Sequence, residues 1–371
     1  MSGEVSFWFA FTHAAAAGVL RDARFSSDFR NADSYRFRAE VPAGLKPIDD
    51  VIQHWMLTKD APDHTRVRSL VNKAFTARRV ESLRAHIQEV VDKLLDAVAP
   101  HGEMEVIADF AYPLPATIIC ELLGVPLEDR DTFKGWARDL APILDFVSGQ
   151  SDEALKRMEA SAAPFVDFMR GLIDLRRTQP ADDLLTALID ARDAGDRLSD
   201  DELLAAAALV LGAGFETTMN LIGNGTYLLC EHRDQLERLR ADPSLIASAV
   251  EEVLRLEGPV LLTSRVALEE ADVAGTCAHA RQQGVVMLAA ANRDPEVFHD
   301  PESFDISRSP NPHLTFGGGP HFCPGAALAR LEGQIALGTL VRRFPGIKLV
   351  AEPEWRATTV LHGLKELRVT F

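Results

Sequence analysis

A long helical segment, from Ser199 to Cys230, constrains the fold of this 371-residue chain more than any other feature. Ser199 and Glu202 have the spacing of a capping box, in which each side chain bonds a backbone N–H at the start of a helix. About 32 residues of helix extend roughly 48 Å, which is enough to cross an entire domain. Because the run from Leu203 to Leu211 is apolar on nearly every side, we expect this helix to lie buried in the core.

Most of the remaining chain also has helical periodicity, and strand-like runs are few and short. The other predicted helices are His64–Phe75, Ala77–Ala99, Ala116–Leu123, Ser151–Arg177, Leu245–Leu256 and Ala326–Arg343. The predicted strands are Val5–Phe11, Ser264–Leu268, Val285–Ala289 and Leu367–Phe371. The sequence contains no linker-like stretch or internal repeat, which favours one domain over residues 1–371. It therefore predicts a mainly α protein with small β-sheets.

The middle of the long segment, Ala213–Thr218, contains residues that a buried apolar helix does not favour. A glycine inside a helix costs about 1 kcal/mol relative to alanine, and burial of the Glu216 carboxylate costs more unless it has a partner. Residues that break local rules in this way indicate a functional site. The structural alternative is that the Thr217 hydroxyl bonds the preceding turn while Glu216 extends towards solvent.

Cys323 lies in a glycine-rich run, Phe316–Gly325, that suits the binding of a flat group. The glycines allow the backbone to approach such a group closely, and no second cysteine lies nearby in sequence to complete a zinc site or a disulfide. The predicted helix Ala326–Arg343 follows directly, and the N–H groups at its start favour a thiolate. A single thiolate suits an axial bond to haem iron. The alternative is an ordinary buried cysteine beside a loop.

Both patterns resemble motifs of the cytochrome P450 family. Phe-x-x-Gly-x-His-x-Cys-x-Gly, at residues 316–325, resembles its haem-binding loop, and Ala-Gly-x-acid-Thr-Thr, at residues 213–218, resembles its distal helix. The resemblance extends from about Trp8 to Phe371, and the sequence is most similar in its motifs to the soluble bacterial branch. This resemblance implies the cytochrome P450 fold with a haem b cofactor whose iron is bound by Cys323. The other cofactor-binding residues that it implies within these motifs are Gly214, Phe316, His321 and Gly325.

The resemblance also implies chemical roles for an acid and an alcohol of the distal helix. Thr217 is expected to hydrogen-bond dioxygen on the iron, and Glu216 is expected to connect that hydroxyl to solvent, so that the pair relays protons.

The two haem propionates need cationic and hydrogen-bonding partners. His64 and Arg68 are one helical turn apart and therefore share a helix face. The resemblance implies a propionate-binding set made of His64, Arg68, Arg265 and His321. The alternative for each of these residues is an ordinary surface group.

Glu252 and Arg255 form a further pair, three residues apart on a predicted helix. An exposed pair of this kind contributes under about 0.5 kcal/mol. The resemblance implies instead that the pair is buried, is joined by Arg308, and stabilises the haem-side fold without a chemical role.

The resemblance implies a monooxygenase that activates O₂ and inserts one oxygen atom into a lipophilic small molecule. A separate ferredoxin or flavoprotein is the expected electron donor, because the sequence has no Gly-x-Gly-x-x-Gly and no cysteine cluster for an iron–sulfur centre. The alternatives are oxidative coupling, peroxide-dependent oxidation, and a non-catalytic haem-thiolate sensor. Peroxide-using members usually lack the acid–alcohol pair, so Glu216 and Thr217 favour dioxygen. The expected pocket walls are Val41–Lys59, Leu209–Ala213, Val260–Thr263 and Val360–His362.

Charge and cysteine content limit the partners and the compartment. The net charge of -16 argues against nucleic acid or an anionic membrane surface as a partner. The four cysteines have no paired spacing, which is typical of a reducing compartment, and we expect a cytoplasmic protein. The apolar stretch Val5–Leu20 is short for a membrane span and is better interpreted as a strand followed by a helix that Thr12 caps.

The segment His64–Val80 contains five basic residues and no acid, which suggests a docking surface for an acidic electron donor. The alternative is a solvated helix face. Two departures from the family pattern lead to further expectations. We expect an N-terminus shortened by about thirty residues relative to the family, which affects the substrate entrance, and an irregular loop at Cys277–Gly284 in place of the usual turn.

Overall fold

The computed structural model describes residues 6–37, 40–145, 151–192 and 195–371, in which the chain is mainly helical. The helices are α1 (His13–Arg21), α2 (Lys46–Ile52), α3 (Asp63–Ala74), α4 (Ala77–Ser82), α5 (Arg84–Val98), α6 (Pro113–Leu122), α7 (Arg130–Leu140), α8 (Asp152–Thr178), α9 (Leu184–Asp190), α10 (Asp200–Glu231), α11 (Arg233–Ala241), α12 (Ile246–Leu256), α13 (Leu288–Ala291) and α14 (Ala326–Arg343). The strands are β1 (Trp8–Ala10), β2 (Phe25–Ser26), β3 (Glu103–Glu105), β4 (Thr263–Ala267), β5 (Ala271–Val273), β6 (Thr276–Ala278), β7 (Gln283–Val286), β8 (Lys348–Leu349), β9 (Glu354–Trp355), β10 (Leu364–Glu366) and β11 (Arg368–Thr370).

The strands form small sheets. In the largest sheet the order is β1-β7-β4-β2, with β1 parallel to β7 and the other two pairs antiparallel. β11 lies between β3 and β8, while β9 pairs with β10 and β5 pairs with β6. A second, smaller core packs against the largest sheet, where the rings of Trp8 and Phe25 meet edge to face at 5.2 Å.

The long helix α10 lies in the main core, as the sequence predicts. Its capping box is complete, because Glu202 N–H donates to Ser199 Oγ at 3.2 Å and Ser199 N–H donates to the Glu202 carboxylate at 2.9 Å. α10 packs against α6, α12 and α14. The approach to α14 depends on Gly225, where a Cβ would lie 2.7 Å from Leu337. Among the described residues α10 alone is long and apolar enough to cross a membrane, and 72% of its apolar window is buried inside the protein.

Some predicted elements end elsewhere in the structure. The predicted helix Ala77–Ala99 is wrong as one unit and forms α4 and α5, because Ser82 Oγ donates to Arg79 O at 2.7 Å and competes with the helix's own bonds. The N-terminal strand shortens to β1, and Val5 lies outside the described residues. The Thr12 cap is confirmed, since its hydroxyl accepts the N–H of Ala15 at 3.3 Å.

The expectation of an irregular loop at Cys277–Gly284 is partly wrong, because this segment continues a β-hairpin. β5 and β6 are antiparallel, and Asp272 lies opposite Cys277. At the turn, Ala274 and Gly275 have φ values of 50° and 84°, the left-handed conformations of a two-residue hairpin turn. The hairpin places the side chain of Cys277 on an exposed surface.

Candidate active site

Backbone hydrogen bonds hold the Cys323 loop in one shape. Cys323 N–H donates to Phe316 O at 2.9 Å, and Gly317 N–H donates to Leu314 O at 2.7 Å. Gly317 and Gly319 have φ values of 72° and 62°, which glycine adopts without steric cost. These bonds and glycine conformations fix the path of the loop, which leads directly into α14.

The thiol of Cys323 lies beside the first turn of α14. Burial raises the pKa of this thiol, while the N–H of Gly325, the guanidinium of Arg68 and the N–H of Ala326 oppose the rise. The helix N-terminus thus lowers the pKa of the thiol as predicted, but burial raises it by more. A bound iron would complete the deprotonation of Cys323, because a coordinating thiol loses its proton outright. A Cβ at Gly325 would lie 3.8 Å from the Cys323 sulfur, so the backbone passes close to the ligand atom.

On α10, the acid and the alcohol of the distal motif have different partners. The Thr217 hydroxyl donates to Ala213 O at 2.6 Å, which is the bond to the preceding turn that the structural alternative predicts. Glu216 is 5% exposed and accepts from Arg356 Nη1 at 2.6 Å. Arg356 Nη2 also donates to Asn220 Oδ1 at 2.7 Å. Glu216 therefore does not extend freely into solvent, and its burial is compensated by a cationic partner.

Gly214 lies where α10 crosses α6. A Cβ at this position would lie 2.8 Å from Ile119 Cδ1, and the Gly214 carbonyl accepts from Thr218 Oγ1 at 3.0 Å. Close packing of the two helices is thus one physical reason for the glycine. The contact between Gly214 and the cofactor stays a prediction.

The structure brings two of the predicted propionate partners into direct contact and places the other two near the same loop. The rings of His64 and His321 have centroids 4.0 Å apart. Arg68 donates to Phe322 O, next to Cys323 in sequence, at 2.6 Å. Arg265 on β4 is 7% exposed, and its charge influences both histidines.

Electrostatics show that burial outweighs the negative charge near this group of side chains, since the Asp60 carboxylate acts on His64 and Arg265 but the pKa of each is lowered. Burial and the neighbouring cations lower the pKa of His321 to about 3, and burial lowers the pKa of Arg265 to about 10. In the described part of the chain, the hydrogen bonds of Arg68 and Arg265 go to uncharged oxygens. Two guanidinium groups that bond no carboxylate, the buried Arg265 and the partly buried Arg68, fit a ligand with two anionic arms, such as the propionates of haem.

The buried lock predicted around Glu252 is confirmed. Arg255 Nε and Nη2 each donate to the Glu252 carboxylate at 2.8 Å, and Arg308 Nε donates at 3.0 Å. Asn311 adds a fourth bond at 3.1 Å. The side chains of Glu252 and Arg255 are fully buried, so the alternative of an exposed pair is wrong. Arg255 also donates to carbonyls of the 292–303 segment, which ties α12 to the chain that leads to the Cys323 loop.

A cavity of about 780 Å³ lies beside β4 and is lined mainly by apolar side chains. It includes parts of three predicted wall segments, Val41–Lys59, Val260–Thr263 and Val360–His362, whereas Leu209–Ala213 does not line it. Arg265 also lines this cavity, which therefore borders the predicted propionate site. The lining residues that the sequence did not indicate include Phe29, Tyr35, Ile143, Leu144 and Leu155.

Sequence reasoning also missed two polar neighbours of the distal motif, one partly exposed and one buried. Arg356 is 140 residues from Glu216 along the chain, and nothing in its surroundings in sequence singles it out. Glu332 on α14 is 1% exposed and contacts Thr218. A lone acid on an apolar helix is a signal that could have identified Glu332.

Comparisons with known proteins agree with these motifs. The family model of cytochrome P450 matches residues 30–244 and 242–349. Cytochrome P450 107B1 of Saccharopolyspora erythraea is 45% identical over 98% of this chain and 88% of its own length. The vitamin D(3) 25-hydroxylase of Pseudonocardia autotrophica is 39% identical over 98% of this chain and 87% of its own length. The structure of P450BioI in complex with a fatty-acid-ligated acyl carrier protein has a TM-score of 0.90 at 40% identity, covering 99% of this chain and 92% of that one.

Proposed function

The chain belongs to the cytochrome P450 family and is a haem-thiolate monooxygenase with the fold of that family, and we propose that its two motifs form the two faces of the haem site. In this proposal Cys323 is the iron ligand, and Phe316, Gly325 and Gly214 contact the cofactor. His64, Arg68, Arg265 and His321 bind the propionates. The observation that best supports this assignment is the set of cationic side chains beside the Cys323 loop, whose partners among the described residues are uncharged oxygens.

When bound, the haem supplies the activation of O₂ for transfer of one oxygen atom to the substrate. The chain's own contribution is to hold and move protons. Arg356 is 26% exposed and binds the buried Glu216, so it links that carboxylate to the protein surface. Thr217 Oγ1 donates its proton to Ala213 O, and its acceptor lone pairs face away from that bond. We assign proton supply to Glu216 and its final positioning to Thr217.

Thr217→Ala tests the proton relay against a matched control. The variant should keep its haem content but form more hydrogen peroxide per NADPH consumed, measured with a surrogate ferredoxin and its reductase. Thr218→Ala removes the neighbouring hydroxyl, whose bond goes to Gly214 O, and should change peroxide yield much less. Equal peroxide yields in the two variants would contradict the assignment of Thr217.

Cys323→Ser tests the ligand. The reduced, CO-bound wild-type protein should have the Soret absorption of thiolate ligation, and the variant should lose it. A variant with the wild-type CO spectrum would refute the assignment of Cys323.

The substrate that we propose is a mid-sized lipophile. The cavity of about 780 Å³ has mainly apolar walls, and relatives with named activities include a 6-deoxyerythronolide B hydroxylase and a vitamin D(3) 25-hydroxylase. The presence of Glu216 and Thr217 supports dioxygen rather than peroxide as the oxidant, and monooxygenation rather than ligand sensing. Titration of the haem-bound protein with fatty acids, steroids and macrolides, monitored at the Soret band, would identify the class.

We propose that the electron donor is an acidic ferredoxin or flavoprotein that docks near α3, in the cytoplasm. The four cysteines are free in the structure, which supports a reducing compartment. Arg66 leaves the expected docking surface, because it pairs with Glu202 and with Asp196. Arg79 also has an acidic neighbour, since it lies 3.5 Å from Asp182. Lys73 and Arg78 are exposed. Lys73 donates to Arg192 O at 2.8 Å and borders a hollow of about 490 Å³ that also includes Arg68 and Pro320 of the Cys323 loop. A basic surface beside the ligand loop suits an acidic donor.

A further inference from the structure

The β5–β6 hairpin carries a cluster of metal-ligand side chains outside the active site. In an antiparallel pair, residues that lie opposite each other project to the same face, and so do residues two apart in one strand. Asp272 lies opposite Cys277, so Cys277 and His279 share a face with Asp272 and with Glu270. On the other face, Ala271 and Ala278 are buried in the small core. The solvent face of the hairpin therefore brings together a thiol, an imidazole and carboxylates.

Two of the three separations among the ligand atoms of Glu270, Cys277 and His279 are close to those of a tetrahedral metal site. His279 Nδ1 lies 3.8 Å from Cys277 Sγ and 3.5 Å from Glu270 Oε1, and all three ligand atoms lie within 4.8 Å of one another. Tetrahedral zinc with Zn–S of ~2.3 Å and Zn–N and Zn–O of ~2.0 Å has S···N and N···O separations of ~3.5 and ~3.3 Å. The two measured distances exceed these values by a few tenths of an ångström, which exposed side chains can close by small rotations.

The chemistry of the ligand set selects the ion. A thiolate excludes Mg²⁺ and Ca²⁺, which take oxygen ligands, whereas sulfur, nitrogen and oxygen together are typical of Zn²⁺ sites. Asp272 is less available, because both of its carboxylate oxygens accept the N–H of Gly275 at 3.1 and 3.2 Å. A water molecule is therefore the expected fourth ligand.

The hairpin connects directly to the wall of the large cavity. Arg281 follows β6, and its Nε donates to Asp33 at 2.8 Å while its carbonyl accepts the N–H of Asp33 at 3.0 Å. The next residue, Ser34, lines the cavity and donates to Gln283, which lines it as well, at 2.9 Å. An ion held by the hairpin would thus restrain Arg281, which contacts Asp33, the neighbour of the cavity-lining Ser34.

We propose that Glu270, Cys277 and His279 form a Zn²⁺ site with one water ligand, and that the bound ion stabilises the hairpin beside the cavity wall. This site is independent of the haem and of the activity proposed above. Binding removes the proton of the Cys277 thiol and shields the sulfur from alkylating reagents.

The test uses the haem-bound protein after removal of free metal with a chelator. Zn²⁺ is titrated in competition with a chromophoric chelator, and iodoacetamide labelling of Cys277 is followed by peptide mass spectrometry with and without Zn²⁺. The wild-type protein should bind one more equivalent of Zn²⁺ than Cys277→Ser does. His279→Ala and Glu270→Gln should lower the affinity for that Zn²⁺ ion at least about tenfold. Zn²⁺ should slow labelling of Cys277 in the wild type, and much less in His279→Ala.

His299→Ala is the matched control. His299 is also exposed and its Nδ1 lies 3.0 Å from the carboxylate of Asp300, but it does not belong to the cluster of Glu270, Cys277 and His279. This variant should bind Zn²⁺ as the wild type does. All of these side chains are exposed, so none of the substitutions should disturb the fold. A Soret band equal to that of the wild type checks this for each variant. The proposal is overturned if Cys277→Ser binds as much Zn²⁺ as the wild type, or if Zn²⁺ leaves the labelling rate of Cys277 unchanged.

Discussion

Glu332→Gln should stabilise the protein, and increasingly so as the pH rises. Burial raises the pKa of Glu332 on α14 to about 8, and the Thr218 hydroxyl only partly offsets that rise. Thr218 has a single hydroxyl proton, which it donates to Gly214 O at 3.0 Å. The Gly214 carbonyl therefore competes with the Glu332 carboxylate for this proton, which limits how far Thr218 can lower the pKa of Glu332. Its Oε1 has no hydrogen-bond partner among the described residues, which is consistent with a neutral acid.

The magnitude follows from the two pKa values. The native state holds the Glu332 proton up to about pH 8, whereas the unfolded state releases it above 4.5. Stability is therefore lost progressively as the pH rises from 4.5 to 8, because the native state binds more protons across that window. At pH 7 the loss is about 3 kcal/mol, from ~1.36 kcal/mol per pH unit over ~2.5 units. Glutamine abolishes this loss but leaves an amide N–H without a partner at about 1 kcal/mol, for a net gain of about 2 kcal/mol.

The assay is urea unfolding of the haem-bound protein, followed by far-ultraviolet circular dichroism at pH 5, 7 and 8. The difference in unfolding free energy between Glu332→Gln and wild type should grow by about 3 kcal/mol or more between the first and the last of these. A difference that stays constant with pH would refute the reasoning, because it would mean that Glu332 has the same pKa in both states.

Glu251 provides the control of opposite sign. Burial would raise its pKa, but hydrogen bonds from His313 and Arg330 prevail and lower it to about 2. The stabilisation is present above the unfolded value of 4.5 and is lost as the pH falls towards 2. Glu251→Gln should therefore destabilise the protein at pH 7 by about 3 kcal/mol, an effect that fades below pH 4.5.

Two further predictions concern the lock and the docking surface. Arg308→Met removes one cation from the fully buried Glu252 and should lower the free energy of unfolding by about 3 kcal/mol, with haem lost at a lower urea concentration; haem affinity equal to wild type would contradict the lock. Lys73→Glu should slow reduction by an acidic ferredoxin at low ionic strength and not at ~1 M salt, without changing the Soret response to substrate; equal reduction rates at both salt concentrations would contradict this docking surface.

The sequence predicts those parts of the fold that depend on local chemistry. Ser199 and Glu202 start α10 as expected, because a capping box needs only residues four positions or fewer apart. Helices α2, α7, α9, α11 and α13 are not among the predicted elements, and α13 begins inside the predicted strand Val285–Ala289. α11 is polar over most of its surface and buries only Leu236 and Leu239, so its periodic signal is weak and its position depends on packing against α10 and α14.

The same division holds within the active site. The motif around Cys323 is contiguous in sequence, so every member could be located before the fold was known. The charge balance of the site is not contiguous: Glu216 is compensated by Arg356, 140 residues away. A buried carboxylate requires such a partner, so the sequence indicates that one exists without indicating where it lies.

Arg356 also gives the distal helix a connection that the motifs alone do not suggest. Its two terminal nitrogens bind Glu216 and Asn220, one helical turn apart on α10, at 2.6 and 2.7 Å. Its backbone N–H donates to Gly363 O at 3.0 Å, and a Cβ at Gly363 would press against Asn220. The segment that carries Arg356 continues to Val360, which lines the large cavity. A short segment of chain therefore joins the guanidinium that binds Glu216 to the wall of the cavity.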